Sequence, residues 1–242
     1  MDFLDYLGIE EGNLYKSLVN LNEELLFLKK LDACYQLLMK RADSIATEDL
    51  DLLVFQLLGF VHYHLYFSSN CLLRGHISES FASLRAAIDA TFIAYKIVLQ
   101  PDTATSYLKR KNAFRNIKGH IKKQNKEDPS SYPLAPPLIK AHETCSQFGS
   151  HADISAFFNR LETTRTVVDE KENLEMRFFY FQFPVDAQEF YKYFLYLMNH
   201  YLMMLALFFE LLKDRDEAGR VGFVKLIDAL RDEYDSLRDS HA

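Results

Sequence analysis

The chain has 242 residues, 49% of them hydrophobic, and a formal net charge of −6. That balance excludes broad, sequence-independent attraction to nucleic-acid phosphates, which needs a basic surface, although it leaves room for a local basic patch. Glycine (8) and proline (6) are scarce, at about half their usual shares of roughly 7% and 5%, which disfavours a turn-rich β fold and favours long helices.

With 20 Phe, 14 Tyr and no Trp, the core is expected to be built from Phe, Leu and Tyr. The first residues, MDFLDYLGIEEGNLY, show neither a basic n-region nor an apolar h-region, so no signal peptide is expected. Cys34, Cys71 and Cys145 are odd in number and far apart. They fit a reduced, cytoplasmic setting.

From Asn13 to Ala42 the residues Leu14, Leu18, Leu21, Leu25, Leu28, Leu31, Tyr35 and Leu38 recur in steps of three and four, which predicts one long helix. Thr47 is the expected N-cap of a second helix, about 48–68, with Glu48 and Asp49 in its first turn. That helix is apolar nearly all round, the pattern of a central bundle helix. A third is predicted from Asn70 to Leu99. One side carries Leu73, Ile77, Phe81, Leu84, Ile88 and Tyr95. The other carries Ser83, Ala86, Ala87, Ala90 and Ala94, small enough for a close neighbour. Between them runs a polar seam of Arg74, Ser78, Arg85 and Asp89. Arg85 and Asp89, four apart, are expected to form a buried pair.

A fourth helix, about 103–124, carries the basic run Lys109, Arg110, Lys111, Arg115, Lys118, Lys122 and Lys123. The stretch 125–137 holds four of the six prolines and reads as a loop. A short helix, 137–148, follows. Then TTRTVVDEKENLEMRFFYFQF switches to Thr, Val and aromatic residues around a charged turn, which predicts a β-hairpin with strands near 163–168 and 174–182. Two helices, about 185–213 and 216–238, complete the chain. The segment 191–212 has the length of a bilayer span, but Lys192, Asn199, His200 and Glu210 interrupt it. A buried core helix and no membrane are the expectation.

The resulting fold class is mainly α: an up-and-down bundle of about six to eight helices with one β-hairpin insertion near 163–182. Residues 1–242 read as one helical domain, with the 125–137 loop as the place where it would divide.

The stretch CSQFGSHADISAFF, 145–158, punctuates the helices. Gly149 can end one, Ser150 can cap the next, and Asp153 can reach back to it. His151 would then face inward beside Arg74, Ser78 and Arg85, as an acid, a base or a ligand group. Cys145 with His142 or His151 is a conceivable nucleophile and base, although an isolated cysteine near a helix end is more often structural. A di-iron bundle wants Glu-x-x-His pairs. Only the reverse, His76-x-x-Glu79, occurs, and His62 and His64 cannot share a helix face. Phosphate-loop, dinucleotide, zinc-protease and hydrolase motifs do not occur, so neither a metal nor a cofactor is expected.

SLRAAIDATFIA in a buried helix, followed by a Gly/Ser-His stretch, resembles the helical HEPN superfamily over about residues 70–155. Members often carry an arginine and, four residues on, an acidic residue on a core helix. The RNase motif is an Arg, four to six residues, then a His. No Arg stands in that register before His151. RNIKGH supplies Arg115 and His120 instead, about 140° apart on a continuous helix, so they would share a site only if the helix bends or ends near Gly119 or a dimer mate completes it. The resemblance implies RNA or a nucleotide as partner, a homodimer, and an RNase of a defence or toxin system. His120 or His151 would be the base, and Arg115 or Arg85 would stabilise the phosphate. The alternative is a non-catalytic interaction or sensor module whose polar seam specifies packing.

Overall fold

The computed structural model describes residues 2–46, 48–109, 116–149, 161–168, 171–181, 187–213 and 217–240. Among them the chain is a mainly helical bundle with one two-stranded sheet.

Helix α1 spans Phe3–Asn20, ten residues earlier than periodicity indicates. Asp2 caps it, its carboxylate accepting from the Leu4 and Asp5 amides, while Asp5 accepts in return from the Asp2 amide. Helix α2 spans Asn22–Lys40, so the expected single helix is broken at Leu21. The break follows from what each part buries. On α1 the buried residues are Asn13 and Ser17, whose side chains donate to the Arg74 and Leu73 carbonyls at 3.2 and 2.8 Å. Leu18 stays exposed. On α2 the buried set is Glu24, Phe27, Leu31, Cys34, Tyr35 and Leu38. A straight helix could not present both faces inward.

After the short α3 (Ala42–Ile45), α4 spans Asp49–Leu73. Its N-cap is Glu48 rather than Thr47, which lies outside the described residues. Glu48 is extended, and its amide donates to Asp51 Oδ2 at 3.3 Å. Helix α4 runs past the expected end near Ser68, and Asn70, the expected start of the next helix, lies within it. Gly75 has φ 86°, the Gly75 amide bonds the Leu72 carbonyl, and the His76 amide reaches back to Cys71 at 2.8 Å. This is a Schellman stop, open to glycine because it has no Cβ to clash at positive φ. Helix α5 therefore spans Ile77–Leu99.

Helices α4 and α5 form the central pair. The small face of α5 lies against α4, where His64 Nδ1 and Ser83 Oγ are 2.8 Å apart. Its large face meets other helices, Phe81 packing on Tyr193 and Tyr196. The expected two-sided packing is realised. Helix α4 is less enclosed than its composition indicates: Leu52, Phe60, Tyr63, Tyr66 and Phe67 remain exposed.

Two helices replace the expected 103–124. They are α6 (Thr103–Leu108) and α7 (Ile117–Glu127). Helix α8 (Ala135–Gly149) packs on α5. Strands β1 (Leu161–Val168) and β2 (Lys171–Phe178) pair antiparallel, with Leu161 opposite Phe178 and Val168 opposite Lys171. The hairpin stands where it was expected, its second strand about three residues early. Helix α9 (Ala187–Leu212) packs against α2, α4 and α5, and α10 (Glu217–Ser240) covers α9 and α2. Tyr35 on α2 donates to the Tyr201 carbonyl at 2.7 Å, and Ser68 on α4 donates to the Tyr201 hydroxyl at 3.0 Å. Three helices are tied at one buried point.

By length and composition α4 and α9 could each cross a membrane. Of their apolar windows, 50% and 67% are buried within the protein, and core helices pass the same test.

Candidate functional site

Arg85 and Asp89 share one face of α5, as expected. They do not bond to each other. Both reach His142 of α8, which the sequence reading had placed only beside Cys145. Arg85 Nε donates to His142 Nε2 at 3.3 Å, and the same nitrogen lies 3.1 Å from Asp89 Oδ1. The three groups have different exposures. His142 is 4% exposed, Arg85 is half-buried, and the Asp89 side chain is 41% exposed. The expectation of a buried Arg85–Asp89 pair is therefore corrected. The buried member is His142, because α8 brings it in beneath them.

One imidazole nitrogen cannot serve both neighbours at once. To accept from Arg85, Nε2 must be unprotonated. To donate to Asp89, it must carry the proton. The two contacts describe alternative states of one ring. His142 Nδ1 is buried without a hydrogen-bond partner, so it anchors neither. Among the described residues the terminal nitrogens of Arg85 and the Oδ2 of Asp89 also lack partners.

Asp89 lies on the wall of a groove of about 500 Å³ between α4, α5 and α6. Leu57 and Phe60 come from α4, Ala86, Ala90 and Ile93 from α5. The groove exists because the two alanines leave its floor low while α6 ends after six residues.

The other sequence candidates are dispersed. Arg74 sits at the α4–α5 turn, bonded to Asn70 and 3.5 Å from Glu11. Arg85 is more than two helical turns further on. Arg74 does not belong to the seam, because the Gly75 stop takes it off the helix that carries Arg85. His120 is exposed on α7. Helix α7 starts at Ile117 with Asn116 as N-cap, its Oδ1 accepting from the Gly119 amide at 3.2 Å, and it neither bends nor ends at Gly119. A Cβ on Gly119 would stand 2.5 Å from that oxygen, so this glycine makes room for a cap. Ser150, His151 and Arg115 lie outside the described residues, as does Asp153. Cys145 is fully buried, and burial pushes its thiol up to about 12, leaving no thiolate to act as nucleophile.

A second polar cluster joins α2 to α4. Asp32 Oδ1 accepts from the Tyr66 hydroxyl and lies 2.6 Å from His62 Nε2, while Oδ2 accepts from Gln36. Burial raises the Asp32 pKa, but the bonds from Tyr66, His62 and Gln36 and the charge of His62 outweigh it and hold the carboxyl below its ordinary value. The carboxylate is saturated by its neighbours, so this cluster ties two helices together. No group of three His, Cys, Asp or Glu side chains among the described residues is placed to hold a metal ion.

What the geometry defines is a helical bundle in which the Arg85–His142–Asp89 centre opens onto an apolar groove. Comparison with protein-family models, curated proteins and solved structures yields no match.

Proposed function

We propose that this chain is a non-catalytic helical interaction or sensor module, and that its binding element is the α4–α5–α6 groove. The observation that carries this reading is the junction of the groove with the Arg85–His142–Asp89 centre. Binding sites are concave and mostly apolar, with a few convergent polar groups, and about 500 Å³ lies within their usual range. The centre has unsatisfied polar groups, as a recognition site has before its ligand arrives. Cys145, the thiol beside it, is buried and protonated.

Methyl NMR with a neutral apolar probe, 4-phenylbutan-1-ol, tests the reading. Titration should shift the Leu57, Ala86, Ala90 and Ile93 methyls together, and Ala86→Leu, which fills the floor, should abolish the response. Shifts that scatter over the surface, or that survive Ala86→Leu, would overturn it.

The RNase reading implied by the HEPN resemblance keeps one supporting observation. Helix α7 exposes His120 together with Lys122, Lys123 and Lys126. Lys122 is engaged by Glu143 at 2.6 Å and Lys123 by Glu127 at 3.9 Å, which lowers the positive charge offered to phosphates. On that reading wild-type protein cleaves a labelled single-stranded RNA at low salt and His120→Ala does not. Equal rates, or none in either, would remove it.

A further inference from the structure

We propose that the groove between α4, α5 and α6 is a receptor for an organic cation, an ammonium head on an apolar body, with Asp89 as its counter-ion. The proposal rests on the reading of that groove as the binding element and adds the chemistry of the guest. Among the described residues that line the groove, Asp89 is the one carboxylate, and no lining residue is Lys, Arg or His. Its Oδ1 is held by His142 at 3.1 Å, which fixes the direction of the carboxylate. Its Oδ2 has no partner among the described residues, and the side chain is 41% exposed. At that exposure water reaches the carboxylate.

A guest that fills the groove strips this water, and an uncompensated carboxylate beside apolar walls is costly. An anionic guest worsens the repulsion. A neutral guest leaves Oδ2 without a cationic partner, since Arg85 is directed to His142 on the Oδ1 side. An ammonium group supplies both the charge and N–H donors for Oδ2. Phe60, 46% exposed on the α4 side, offers an aromatic surface for the body of the guest.

The chemistry reaches the buried centre. When Asp89 turns its charge to an ammonium, the pull on a His142 Nε2 proton weakens. The imidazole then favours the tautomer protonated on Nδ1, with Nε2 accepting from Arg85 Nε, 3.3 Å away. Occupancy of the groove is thus readable at His142, which lies on α8 and outside the lining.

Three probes of matched shape test this on the intact chain: 4-phenylbutylamine, 4-phenylbutan-1-ol and 4-phenylbutyrate, followed by methyl NMR and by the ¹⁵N signals of the His142 ring. At low salt the amine should bind about fivefold tighter than the alcohol, the reach of a partly exposed ion pair. The butyrate should bind most weakly, and added salt should compress the order. Only the amine should move the His142 nitrogens. Asp89→Asn should equalise amine and alcohol, and a wild-type-like methyl spectrum outside the groove shows that the variant is folded. If amine and alcohol bind alike to the wild type, or Asp89→Asn keeps the preference, the cation proposal fails and the groove reading stands. If no probe reaches the Ala86, Ala90 and Ile93 methyls, both fail.

Discussion

His200 on α9 is 6% exposed, and its Nδ1 donates to the Tyr196 carbonyl at 2.7 Å. Burial lowers its pKa below the ordinary value of about 6.5, and the backbone bond only partly opposes this. The folded state therefore binds this proton less readily than the unfolded chain. The contribution to stability is full above about pH 6.5 and drains as the pH falls through that value towards the lower folded one. Half-buried His64 is lowered by burial in the same direction. The expected outcome is a His200 NMR titration midpoint below about 6.5 and a fall in thermal stability as the pH drops below that value, which His200→Asn makes shallower. A midpoint at or above 6.5 would contradict it. At this scale the sequence identified Arg85 and Asp89 and missed the residue that joins them. A signal was present: Leu138, His142 and Cys145 stand at i, i+4 and i+7, so His142 lies in an apolar stripe and needs a polar partner. Which partner is a matter of contacts 53 and 57 residues apart.

Gly75 separates the two longest-paired elements of the bundle. A β-carbon at its φ of 86° is strained, by roughly 1–2 kcal/mol in that region, and a small part is returned through the less flexible unfolded chain. Gly75→Ala is expected to destabilise the protein by about 1 kcal/mol, and Gly75→Asn by less, because asparagine tolerates the left-handed region. Urea unfolding at unchanged m-value is the measurement, and equal midpoints for wild type and Gly75→Ala would refute the assignment. The helix boundary was expected near Ser68 and Asn70 rather than at Gly75, because the apolar spacing from Leu73 to Ile77 continues across the turn. Periodicity erred in the same way at Leu21, where the stripe persists but the buried face changes from Asn13 and Ser17 to Phe27 and Leu31. On α7 the stretch that carries the motif of Arg, four residues and His also holds a cap, the Asn116 Oδ1 accepting from the Gly119 amide.

In the whole molecule, α4 and α5 form the centre, with α8 packed on α5 and α9 packed on both. The Tyr35–Tyr201–Ser68 node fastens α2, α4 and α9 at a place where the three helices have no exposed surface. Composition and local spacing by themselves determined the mainly helical class, helices α8, α9 and α10 to within about two residues, the hairpin and the two-faced character of α5. These depend on interactions over a turn or a strand pair, and each stretch of chain carries that information itself. Only the tertiary structure decided that His142 stands between Arg85 and Asp89, that Arg74 belongs to another part of the molecule, and that two alanines of α5 become the floor of a groove. Each of these depends on the rotation of one helix against another. A helix has several apolar residues around its surface, and which of them is buried is settled by the shape of the partner it meets.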